Sequence, residues 1–338
     1  MSVGNVLVAG YQRLVTLCRP YLLLELPGWG RLGRALGISG FSNDGLWRSA
    51  PMKTIRDKMS GYRVELDLRK STERGTYFLG RYVSLDVLKC LQIVLRPGTC
   101  FLDGGSNIGL VALYAARLVG PTGRVMAFEP NPAVFARLSR HIVNNGLQAN
   151  IALYPYGLGD AEQSLALKVI NDSSETGTLA EDLPDNMKRA VTSSVLVPVR
   201  RADAVLAPQF DRIRSLVVKL DIEGFELPAL RGMNAMVERF KPVILTEVHK
   251  PKMAAAHASV EDLFDWMSAR GYQAFVLGLA RSLRGRRLHL RRASTADVLP
   301  DQCDLLWLLP DHMSLFSSDT RDGRRCDTPA GAVEEGRS

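Results

Sequence analysis

No CxxC pair and no Cys/His set at metal-ligand spacing occurs in this chain. Its five cysteines, Cys18, Cys90, Cys100, Cys303 and Cys326, are scattered and odd in number. That argues against a disulfide framework and against structural zinc, and reduced thiols fit a cytosolic compartment. No apolar run reaches the roughly 20 residues that a membrane-spanning helix needs. The stretch from Val6 to Leu36 is apolar but is broken by Arg13, Arg19, Glu25 and Pro27, and it lacks the charged-then-apolar order of a signal peptide. It reads as an amphipathic segment that covers the domain, joins a dimer or makes peripheral contact with a membrane face. Internal repeats are absent, and the glycine-rich turn at residues 103–109 is not a GxGxxG element.

What is present is the composition of an ordinary globular protein: 338 residues, 46% hydrophobic and 23% charged. The net charge of +8 favours anionic partners. Much of the excess lies in Arg281 to Arg292, which reads as a basic, loop-like stretch able to meet phosphate, an anionic membrane or RNA. Residues 1–60 read as an accessory region, rich in turn signals. Residues 61–313 form the main domain, and 314–338, polar and rich in Gly, Asp and Arg, reads as a disordered tail.

Within the main domain, Tyr62–Leu68 alternates as a half-buried strand and Ser84–Val94 reads as a helix ended by Pro97-Gly98. Strands are then expected at Cys100–Leu102, Arg124–Phe128, Ile151–Tyr154, Leu216–Leu220, Val243–Val248, Tyr272–Leu277 and Leu305–Leu309. Helices are expected at Ile108–Val119, Ala133–Asn145, Glu226–Phe240 and Val260–Arg270, and Ser164–Val169 with Val195–Val199 suits a hairpin. Strands alternating with helices give an α/β, doubly wound, mostly parallel sheet, and the missing crossover before the last strand makes that strand antiparallel. The polar insert from Ile170 to Ser194 reads as a lid or a mobile surface loop.

The chemistry concentrates at strand ends. Asp103-Gly104-Gly105-Ser106-Asn107-Ile108-Gly109 is an acid followed by a glycine turn into a helix, where a ligand can approach bare backbone. Asp103 would repel a pyrophosphate but attract an ammonium or sulfonium, and S-adenosylmethionine carries both. Glu129, closing the next strand, suits the two hydroxyls of its ribose. Asp160, in Tyr156-Gly157-Leu158-Gly159-Asp160, can accept from an adenine amino group. Lys219, Asp221, Glu223 and Glu226 crowd the end of another strand, with Lys219 and Asp221 on one face. Asp221 and Glu223 can hold a substrate hydroxyl, act as a base or bind a divalent cation, whereas Glu223 or Glu226 can equally cap helix amides. Glu247 and His249 share a face at the end of a further strand, and His249 is a base suited to neutral pH.

Asp103-Gly104-Gly105-Ser106-Asn107-Ile108-Gly109, Phe128-Glu129-Pro130-Asn131, the Lys219–Glu226 run and Glu247-Val248-His249 together resemble the FkbM-type methyltransferases. The resemblance spans Leu79 to Leu309, and Ser106 stands where the family usually has alanine. It implies a class I, Rossmann-like S-adenosylmethionine-dependent fold and O-methylation of a sugar, glycolipid or secondary-metabolite hydroxyl. It also implies cofactor contacts from Asp103, Gly105, Asn107, Gly109 and Glu129. The reading of catalytic roles for Asp221, His249, Lys219 and Glu223, and of Gly104 and Asp160 at the cofactor, rests on the residues themselves. RNA methylation through the basic segment is the alternative, but the Asn/Asp-Pro-Pro-aromatic element expected of a base methylase is replaced by Asp221-Ile222-Glu223-Gly224, which disfavours nucleic acid. A cytoplasmic protein with membrane association is expected.

Overall fold

A computed structural model describes residues 3–38, 44–170, 173–282 and 285–317. The chain opens with helices α1 (Val3–Leu17), α2 (Arg19–Leu23), α3 (Trp29–Ala35) and α4 (Asp44–Trp47). An antiparallel pair, β1 (Met52–Arg56) and β2 (Arg63–Asp67), follows, then α5 (Ser71–Leu79) and α6 (Leu85–Val94). The division expected at 60/61 therefore falls between two paired strands. Val15, Leu22 and Trp47 are buried in the same core cluster as Leu88 and Leu113, so the N-terminal helices pack on the main domain.

Strand and helix then alternate through β3 (Cys100–Gly104), α7 (Leu110–Val119), β4 (Arg124–Phe128), α8 (Pro132–Asn144) and β5 (Ile151–Tyr154). A second sheet interrupts with β6 (Gly157–Leu158), β7 (Gln163–Ile170), β8 (Ser173–Thr178), α9 (Asp185–Ala190) and β9 (Val191–Arg200). The main series resumes with α10 (Ala202–Leu206), β10 (Leu216–Leu220), α11 (Glu226–Gly232), α12 (Asn234–Phe240), β11 (Val243–His249), α13 (Lys250–Ala255) and α14 (Val260–Ser268). It closes with β12 (Gln273–Ser282), β13 (Gly285–Ala293), β14 (Gln302–Leu308) and α15 (Ser314–Ser317).

The central sheet has the order β13-β12-β14-β11-β10-β3-β4-β5. From β3 the chain winds outward first through β4 and β5, then returns to β10 and β11 on the other side, all parallel. The reversal between β3 and β10 is where a doubly wound sheet opens a crevice at its carboxyl edge. β14 runs antiparallel between β11 and β12, as the missing crossover implied. Successive residues of β3 face opposite ways: Phe101 joins the cluster with α6 and α7, and Leu102 joins the one with Leu230, Met236 and Leu263 of α11, α12 and α14. Both faces of the sheet are thus covered.

Four expectations change. The basic stretch is not a loop: β13 pairs with β12 from Ala274↔Ala293 to Ser282↔Gly285. Leu288 and Leu290 pack against the core while four of the other positions are arginine, which hides the alternation. The helix expected over Glu226–Phe240 is two helices, because the Asp203 carboxylate accepts from the amides of Ala235 (2.9 Å) and Met236 (3.0 Å) and starts a new helix there. The insert after Ile170 is built into the second sheet through β8 and β9; Asn171 and Asp172 of it lie outside the described residues. Finally, α15 occupies the start of the expected tail and buries Phe316 in the core; residues 318–338 lie outside the described residues.

Candidate active site

The parallel register of β3 and β10 sets Asp103 beside Lys219 and Gly104 beside Leu220. After β3 the chain turns through Gly105 (φ +77°), Asn107 (φ 49°) and Gly109 (φ +92°). A Cβ on Gly105 would lie 2.0 Å from the Asp221 carbonyl oxygen, so only glycine lets this turn pass against the end of β10. The Ser106 hydroxyl donates to the Asp103 carbonyl (2.7 Å). The Asn107 amide donates to one oxygen of Glu129 (2.9 Å) and the Asn131 amide to the other (2.8 Å). Glu129 is thereby locked to the turn, and burial pushes its carboxyl up to about 7 against the pull of those two amides.

A cavity of about 370 Å³ opens above this turn at the switch point. One end is lined by Gly105, Ser106, Asn107, Glu129 and Tyr156, the other by Asp221, Glu223, Glu247, His249 and Lys252. Leu167 and Gly177 of the second sheet, with Leu179 just after β8, form part of the wall. The Thr178 hydroxyl, fully buried, donates to the Glu223 carbonyl (2.8 Å) and ties that sheet to the loop after β10. From the N-terminal side the wall is Tyr82, Val83 and Ser84. Arg81 holds the carbonyls of Tyr82 (2.7 Å) and Val83 (3.1 Å), and its guanidinium is gripped by both oxygens of Glu25 at 2.8 Å.

The second end of the cavity is a set of buried charge pairs. The Lys219 ammonium donates to Asp221 (2.8 Å) and lies 4.0 Å from Asp103. Burial works against the Lys219 charge, but Asp221, Asp103 and Tyr82 outweigh it and raise its pKa. Burial likewise opposes ionisation of Asp221, yet Lys219 holds its carboxyl below the usual range. Glu223, in the left-handed region at φ 58°, accepts from Lys252. Burial and two neighbouring carboxylates, Asp221 and Glu223, push Glu247 up to about 10, so it is protonated at neutral pH; Gln302 donates to it (2.8 Å). Burial first, then Lys252, depress His249, leaving a neutral imidazole at pH 7.

The sequence-derived residues are not all at the cavity. Asp103 is fully buried and does not line it; its carboxylate oxygens have no hydrogen-bond partner, and burial raises the group to about 6 against Lys219. Gly104 and Gly109 also lie off the lining and shape the turn instead: a Cβ at Gly109 would meet Leu138 at 2.3 Å. Asp160 is exposed and outside the lining, because the turn after β6 points it to solvent; Tyr156, Gly157 and Leu158 line the wall there. Glu226 is a structural cap: it accepts from the amides of Ile222 (3.1 Å) and Gly224 (3.3 Å). A divalent cation at Asp221 and Glu223 does not fit, since each carboxylate is engaged by a lysine, and no group of three or more His, Cys, Asp or Glu among the described residues could hold a metal ion. Tyr82 and Lys252 carried no motif in the sequence. Glu247 did give a signal, its shared face with His249, but no role was attached to it.

Comparison with known proteins bears on this site. Residues 103–274, half of the chain, match the methyltransferase FkbM domain. Methyltransferase 1 of Beauveria bassiana is 31% identical over 170 residues, covering 46% of this chain and 67% of that protein. The hexuronic acid methyltransferase AglP of Haloferax volcanii is 27% identical over 164 residues, covering 48% of this chain and 62% of that protein. A methyltransferase structure from Streptococcus mutans in complex with SAH has a TM-score of 0.33 at 10% identity, covering 65% of this chain and 94% of that one.

Proposed function

Because the chain belongs to the FkbM methyltransferase domain family and is an S-adenosylmethionine-dependent methyltransferase, we propose that it methylates a hydroxyl of a sugar, glycolipid or secondary metabolite. The observation that carries this reading is one cavity with two unlike ends: a glycine turn with a buried carboxylate, and a cluster of ion-paired and titratable side chains. The name of AglP, a hexuronic acid methyltransferase, supports a carbohydrate acceptor.

The first end fits the methyl donor. Glu129 has both oxygens oriented by backbone amides and still has lone pairs for ribose hydroxyls. Tyr156 lines this end, where an aromatic ring suits an adenine. The Asp103 carboxylate below the turn, without a hydrogen bond and 4.0 Å from the Lys219 ammonium, adds negative charge beneath the donor. S-adenosylmethionine supplies the methyl group on a sulfonium.

At the other end the residues recognise and deprotonate an alcohol. A hydroxyl is a poor nucleophile until its proton leaves, and neutral His249 takes that proton, a contribution of about 10²–10⁴-fold in rate. Asp221, kept ionised by Lys219, accepts a hydrogen bond that orients the hydroxyl. Lys219 stabilises the developing negative charge, and Glu223 with Lys252 fixes the shape of the pocket. Protonated Glu247 donates where Asp221 accepts, and such a mixed donor–acceptor lining suits a polyol.

The test is a methyl-transfer assay with radiolabelled S-adenosylmethionine and four separate acceptors: hexuronic acid glycosides, a glycolipid, a polyketide alcohol and RNA. Label on a hydroxyl of one of the first three supports the reading. Label on RNA alone overturns it.

A further inference from the structure

The N-terminal helices carry an apolar stripe that the fold leaves uncovered. Leu14, Leu17 and Leu24 are 63%, 76% and 71% exposed, whereas Val15 and Leu22 are buried. α1 passes into α2 through Cys18, which keeps helical backbone, and the Leu22 amide bonds the Cys18 carbonyl (3.2 Å). Winding at about 100° per residue sets the three leucines within a sector about 80° wide. The inner face of this segment is spent on the core, and the outer one is an amphipathic surface facing water.

The segments that meet here carry charge of one sign. Residues 1–43 contain a single acid, Glu25. It lies between the exposed Leu24 and Leu26 and is engaged by Lys58 and Arg81, each at 2.8 Å. Arg13, Arg31 and Arg34 are exposed. Residues 281–292 hold six arginines and no acid. The Arg286 guanidinium sits 5.0 Å over the Trp29 ring, so the basic edge of the sheet meets the N-terminal helices. Arg286 and Arg292 are exposed.

Leucines flanked by arginines, with the one acid neutralised, complement a bilayer carrying anionic headgroups. A second copy of the chain would bring like charges together, and RNA would leave the leucines in water. No described helix is long and apolar enough to cross a membrane, so this segment would lie along the surface. We propose that α1, α2, α3 and the β13 edge form a docking face for an anionic membrane.

The test is co-sedimentation of the full chain with vesicles of phosphatidylcholine, with or without phosphatidylglycerol. The chain should sediment with the mixed vesicles, less so at high salt, and remain in solution with phosphatidylcholine alone. The triple change Leu14→Ser, Leu17→Ser, Leu24→Ser should weaken binding at least about tenfold, and so should Arg31→Glu, Arg34→Glu, Arg292→Glu. Thermal melting should show both variants folded; should the leucine variant unfold, the arginine variant alone decides. No sedimentation with anionic vesicles, or binding that ignores both sets of changes, overturns the proposal. Binding to polyuridylate in place of vesicles, or self-association abolished by the leucine changes, overturns it as well.

Discussion

His249 lines the cavity and Asp103 lies buried beneath the glycine turn, and their variants should fail differently. His249→Ala should leave S-adenosylmethionine affinity within about twofold and lower kcat by about 10²–10⁴-fold. Because its pKa is depressed, wild-type kcat should rise with pH to a midpoint below the ordinary histidine value and be flat above neutrality. Asp103→Ala should instead weaken the donor by at least tenfold in titration calorimetry, since it removes the carboxylate that offsets Lys219 beneath the turn. The cavity-lining positions Glu129, Asp221 and His249 were legible because each is a polar residue closing an apolar strand, a local pattern. Asp160 misled for the converse reason: a Gly-Asp turn does not encode which way its acid points. Tyr82 and Lys252 reach the cavity only through long-range folding, and no local spacing marks them.

The loop between β10 and α11 is the element on which the site turns. Gly105 passes against its start, Thr178 fastens its middle, and Glu226 satisfies two of its amides from within. Burial pushes Glu226 up to about 8, so at neutral pH it is mostly protonated. Glu226→Gln keeps the acceptor and should change unfolding free energy by less than about 1 kcal/mol, whereas Glu226→Ala orphans buried amides and should cost about 2 kcal/mol or more. Urea denaturation at pH 7 measures both. Elements such as this loop and the parallel strands were visible in the sequence, since hydrophobic runs and glycine turns are short-range signals. The break between α11 and α12 was not, because its cause is Asp203, far away in the chain. The strand character of β13 was masked by arginines, and that of β8 by its polar residues.

Across the whole molecule, buried acids set the response to pH. Burial raises Asp103 to about 6, Glu129 and Asp304 to about 7, Glu226 to about 8 and Glu247 to about 10. Each binds a proton more tightly folded than unfolded, so the stability it contributes is full below about pH 4 and is lost as pH rises through its folded value. Glu25 runs the other way: despite burial, Arg81 and Lys58 hold it down to about 2, and its contribution is lost only in acid. The melting temperature should therefore be highest near pH 4 and fall steadily towards pH 9, as a calorimetric pH series would record. A maximum at pH 8 would contradict these burials.

The bridge from Glu25 to Arg81 has a practical bearing on how this protein can be trimmed. Arg81 is almost wholly enclosed, and it clasps the two carbonyls that flank the reaction chamber. A shortened version starting after residue 27 would strand that guanidinium in the interior without its counterion. Deleting the first helices to improve expression or crystal growth would thus slacken a wall of the chamber while every recognised motif stayed intact.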